Sequence, residues 1–78
     1  VSHNIRLMAP DGAECDLFQV PSIASKRIFA SAGREARLES YFGWLSEFSG
    51  LPYGAILDHK ILVLEFFFAH PGAEWSLS

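Results

Sequence analysis

Residues 61–69 read Ile-Leu-Val-Leu-Glu-Phe-Phe-Phe-Ala, the longest apolar run in the chain. It is rich in Phe and branched residues, and it is too short to span a membrane, which takes about 18–20 apolar residues. It therefore reads as a strand. In a strand, Ile61, Val63, Glu65 and Phe67 point one way, and Leu62, Leu64, Phe66 and Phe68 point the other. Both faces are apolar, whereas a strand with one wet face alternates.

The rest of the fold is read around this strand. Leu38, Tyr41, Phe42, Leu45 and Phe48 recur at helical spacing and predict an amphipathic helix over about 34–49, with Gly50 at its end and Pro52 beyond. Gly43 inside that helix suggests close packing against a sheet. One helix covers one sheet face, so Leu62, Leu64, Phe66 and Phe68 are assigned to the side of Leu38, Phe42 and Leu45. The opposite face then shows Ile61, Val63 and Phe67, joined by Trp75. Asp58-His59 and His70-Pro71-Gly72 read as turns, Ala55 to Leu57 as a short strand, and Trp75 and Leu77 as part of a last, edge strand.

Upstream, His3 to Ala9 alternates, with Ile5 and Leu7 on one side and Asn4, Arg6 and Met8 on the other. Pro10-Asp11-Gly12 has the chemistry of a three-residue hairpin loop. A returning strand from about Ala13 to Val20 then sets Leu7 against Cys15, Arg6 against Asp16, Met8 against Glu14, Ile5 against Leu17 and Asn4 against Phe18. Residues 22–32 read either as a short helix started by Ser22 and stopped by Gly33, or as a third strand around Lys26 to Ala30. The sum is one α+β domain over residues 1–78, with an N-terminal β-hairpin and one main helix on a mostly antiparallel sheet of four to five strands.

The 78 residues carry a formal net charge of −3, are 50% hydrophobic and hold one Cys. Half apolar and only 19% charged, the chain is no candidate for disorder. The acidic balance argues against duplex nucleic acid, whose phosphates need a basic face. Lys26-Arg27 and Arg34–Arg37 form a modest basic cluster, read as a solvated face, with an anion or RNA contact as the functional alternative. One Cys makes neither an intramolecular disulfide nor a thiolate zinc site. The chain shows no membrane span and no leader-like N-terminus, so a cytoplasmic location is the simplest expectation.

The chemistry of catalysis is thin. Cys15, His59 and His70 fall on three elements, and the hairpin register buries Cys15 as a small hydrophobe. Read on one strand at about 3.3 Å per residue, His59 and His70 lie some 30 Å apart and share no metal. No phosphate loop or metal motif occurs, so no cofactor is expected. Glu65 in an apolar strand calls for a rim position or a partner such as Lys60 or Arg27.

A non-enzymatic interaction module is thus the leading expectation, either a homodimer or a domain docking on a protein partner. Its surface would comprise Ile61, Val63, Phe67 and Trp75, with Trp44 and Tyr53 as anchors. Two alternatives stand beside it: a fold that covers this face internally, by curling of the sheet or by residues 22–32, and a small-molecule binder with a Phe-lined apolar pocket.

Overall fold

The computed structural model describes all residues, 1–78, and shows a small α+β fold of three helices and two antiparallel sheets. Strands β1 (Ser2–His3) and β4 (Val20–Pro21) form a two-stranded ribbon. Strands β3 (Glu14–Asp16), β2 (Ile5–Met8) and β5 (Glu74–Leu77) form a three-stranded sheet in that order. The helices are α1 (Ser22–Ala30), α2 (Arg34–Phe48) and α3 (Tyr53–Ala69).

The hairpin forms in the register set by its turn: Leu7 faces Cys15, Arg6 faces Asp16 and Met8 faces Glu14. Ala9 N–H closes the loop on Ala13 C=O at 2.8 Å, and Gly12 takes φ +94°, a backbone region open to glycine without strain. Ile5, Leu7, Ala9, Cys15 and Leu17 are buried together. On the wet face Arg6 lies 3.3 Å from Glu14 and 3.6 Å from Asp16. Exposed pairs of this kind contribute about 0–1 kcal/mol.

The returning strand is shorter than the pattern predicts. Leu17 N–H still reaches Ile5 C=O, but Phe18 N–H turns away to the Tyr41 hydroxyl. Asn4 pairs instead with Ser78, which extends β5. The chain then crosses to β4, so there are two small sheets rather than one of four to five strands.

Residues 22–30 resolve as helix. Ser22 begins it without capping it. Its hydroxyl instead donates to Val1 C=O and meets His3 Nε2 at 3.1 Å, tying α1 to β1. Helix α2 matches its expected span and ends before Gly50, at φ +75°. Tyr41, Phe42 and Leu45 are buried, while Phe48 lies outside the core, against expectation. Gly43 has open space around it, so close packing does not explain it.

The major correction is α3. Residues 53–69 form one helix, replacing the expected strands at 55–57 and 61–69 and the turn at 58–59. Pro52, with φ −66°, sits at its entry, and no Gly or Pro interrupts it after Gly54. An apolar run without breakers is arbitrated by length, and 17 residues exceed the 4–8 typical of a strand. The inward residues Ile56, Val63 and Phe67 fall seven and eleven apart, the period of one helix face. They join Tyr41, Leu45, Leu7, Trp75 and Ile28 in one core.

Candidate functional site

The change from strand to helix redistributes the predicted surface. Val63, Phe67 and Trp75 are core residues, at 0%, 9% and 8% exposure. Leu62, Leu64 and Phe68, expected beneath the main helix, are exposed. A period of 2 and a period of 3.6 sort the same residues onto opposite sides. Ile61 and Tyr53 remain exposed as expected. Trp44 is half-buried on α2, with its ring 6.5 Å from that of exposed Phe48. The predicted surface residues therefore do not form one patch.

What the helix does bring together is a different set. Leu57, Ile61, Leu64 and Phe68 are spaced four, three and four residues apart and lie in one stripe along α3, all exposed. Phe68, at 91%, is almost fully in water. Lys60 lies on one flank of the stripe and Asp58 and Glu65 on the other, all exposed. Glu65 therefore needs no buried partner; it faces solvent beside the stripe. A shallow open hollow of about 640 Å³ runs along Ile61, Leu64, Glu65, Phe68 and Ala69. Helix α3 is the most apolar of the three helices, yet only Ile56, Val63 and Phe67 of its residues are buried. A helix apolar all round is ordinarily covered on all sides.

A second apolar patch is smaller. Ile23 on α1 and Trp44 and Phe48 on α2 border an open hollow of about 210 Å³ with Arg27. The basic cluster is partly engaged in packing. Arg34 stacks 4.6 Å over Phe67 and donates to Pro71 C=O, and Arg37 stacks 5.1 Å over Phe29 and donates from Nε to Ser31 C=O. These two arginines line a cleft of about 500 Å³ with Glu74 and Trp75. Phe18 and Phe48 share an open hollow of about 350 Å³ with Trp44, Leu45 and Leu51, while the other phenylalanines lie apart: Phe42 and Phe67 are buried, Phe29 and Phe66 flank the core, and Phe68 is exposed on α3.

The titratable groups with displaced pKa values lie near the core. Tyr41 accepts a hydrogen bond from Phe18 N–H at 2.9 Å, and its hydroxyl lies 2.8 Å from His59 Nε2. Burial pushes the Tyr41 phenol well up and the His59 imidazole down, which favours the neutral form of each. The Tyr41 O–H then donates to an unprotonated Nε2. Phe18 and Phe42 pack around the imidazole, with ring centroids 4.5 and 5.6 Å away. This cluster links the end of the hairpin, α2 and α3. Sequence reasoning missed it because His59 was placed in a turn. On a helix, His59 sits three residues after Ile56 and four before Val63, and so faces inward.

Burial, then the neighbouring Asp16 charge, pushes the Cys15 thiol up, which suppresses the reactive thiolate. His59 and His70 are eleven residues apart on and just past one helix, about 16 Å at 1.5 Å per residue, not 30 Å. His70 instead approaches Asp11 at 3.9 Å, and no cluster of three metal-binding side chains occurs. No helix is long and apolar enough to cross a membrane. Compared with known proteins, the chain matches no family model, no curated protein and no solved structure.

Proposed function

We propose that this chain is a non-enzymatic interaction module whose docking face is the outer side of α3. The observation that carries this reading is the stripe of Leu57, Ile61, Leu64 and Phe68, four large apolar side chains aligned in water on one helix. Keeping such a stripe exposed forgoes roughly 25 cal/mol for each Å² that a partner would cover. An amphipathic helix face read at these spacings is a common mode of protein recognition. The non-enzymatic part of the reading is supported by the burial of Cys15, which pushes its thiol up, and by the seating of the buried Tyr41 hydroxyl between Phe18 N–H and His59 Nε2. Asp58 and Glu65 beside the stripe disfavour an anionic bilayer as the apolar acceptor.

The test is a photo-crosslinking side chain at position 64, with the same group at exposed Glu39 on α2 as control. The expected result is a protein adduct, mapped by mass spectrometry to α3, from position 64 and none from position 39. Absence of a protein adduct from position 64 under conditions where the domain is folded would overturn the reading.

A further inference from the structure

We infer that the occupant of the α3 face is a second copy of this chain, with the two α3 helices parallel and in register. The inference rests on the docking face proposed above and adds the partner and its direction. Three observations on the helix carry it.

The first is the seam itself. Spacings of four, three and four are those of a two-helix interface, in which alternate positions a and d meet the partner. Leu57 and Leu64 take d, and Ile61 and Phe68 take a. Ile61 at a with Leu57 and Leu64 at d is the combination that, among parallel assemblies, favours pairs over higher ones, while the second a residue, Phe68, is not β-branched.

The second is charge. The flanking positions are Tyr53, Lys60 and Phe67 on one side of the seam, of which Phe67 is buried in its own core, and Asp58 and Glu65 on the other. In a parallel, in-register pair each flanking residue meets the residue five further along on the opposite flank of its neighbour. Lys60 then meets Glu65 of the partner subunit, and Tyr53 meets Asp58 of the partner subunit. Two-fold symmetry makes each contact twice. An antiparallel pair would instead bring Asp58 and Glu65 of both copies onto one side, where like charges repel. The α3 face is therefore complementary to itself in one direction only.

The third is size and clearance. The stripe residues are between 43% and 91% exposed, and Tyr53 is 79% exposed. Covering them with Lys60 and Glu65 on both copies removes roughly 1,000 Å² in all, near the lower bound for a specific interface. The core-facing residues Ile56, Val63 and Phe67 lie about 110°, 130° and 90° around the helix from the seam at 3.6 residues per turn, so each domain body adjoins the seam on the Lys60 flank and leaves the Glu65 flank open.

Direction is tested by disulfide trapping. Leu57→Cys and Phe68→Cys are made separately in exposed positions, and the buried Cys15 of the unaltered chain sets the background. Under mild oxidation each variant is expected to form a dimer with itself. Trapping only in a mixture of the two variants would show an antiparallel pair and overturn the inference while leaving the docking face in place. A charge exchange provides an independent readout. Lys60→Glu and Glu65→Lys should each weaken dimerisation about tenfold, and the double variant should recover to within about threefold. No recovery would overturn the parallel contact. A chain that stays monomeric to millimolar concentration overturns self-pairing. The position-64 crosslinker then separates the two failures, since an adduct with a different, identified chain preserves the docking face and no adduct removes both.

Discussion

The hairpin and α3 hold similar apolar side chains and handle them differently. In the hairpin, Ile5, Leu7, Cys15 and Leu17 are all buried and Arg6, Glu14 and Asp16 take the other face, so each residue has one assigned environment. Along α3, Ile56, Val63 and Phe67 are buried, while Leu57, Ile61, Leu64 and Phe68 are as apolar and lie in water. The hairpin carries what its own fold needs. The helix carries more apolar surface than its own fold buries, and most of the surplus lies in one stripe, with exposed Leu62 about 130° away around the helix. That distribution is what a binding face requires and what packing within one chain does not.

The sharpest way to break this comparison is to make the same change in both regions. Leu7→Ala removes a fully buried side chain and should cost about 2–5 kcal/mol of stability by denaturant unfolding. Leu64→Ala, measured on dilute monomer, should change it by no more than about 0.5 kcal/mol. Equal losses at the two sites would mean that the α3 stripe is core after all.

A smaller effect tests how α3 is seated. Burial holds the His59 imidazole below its ordinary 6.5. The unfolded chain therefore takes up protons below about pH 6.5 that the folded chain refuses. Stability is full above that pH and declines as pH falls toward the folded value. His59→Gln should flatten the slope of Tm between pH 7 and 5. An unchanged slope would mean that His59 is not what couples the Tyr41 contact to pH.

Legibility in the sequence followed the same division. The hairpin could be read because two independent signals agreed: alternation in residues 3–9 and the turn chemistry of Pro10, Asp11 and Gly12. Helix α2 was legible from the spacing of Leu38, Tyr41, Phe42 and Leu45. Helix α3 was not, because apolar side chains on nearly every side erase the contrast from which a period is read. Its Phe and branched residues then tipped the reading toward a strand. The failed alternation of residues 61–68 was itself a warning, and so was the uninterrupted stretch from Ala55 to Ala69. The expectation of an apolar docking face rests on a two-faced strand under one helix layer, a geometry that does not form; the proposed face rests on the exposed stripe of α3 instead. Which residues lie at the surface changes with that geometry. Ile61 and Tyr53 kept their place at the surface, whereas Val63, Phe67 and Trp75 exchanged theirs with Leu64 and Phe68.

The most direct measurement is the molar mass in solution by size exclusion with light scattering, across a dilution series, for the unaltered chain and for Leu64→Asp. The account predicts a mass near twice 8.7 kDa for the unaltered chain at high concentration, dissociating on dilution, and a folded monomer for the variant at every concentration. A monomer throughout for the unaltered chain, or a dimer that Leu64→Asp leaves intact, would contradict it.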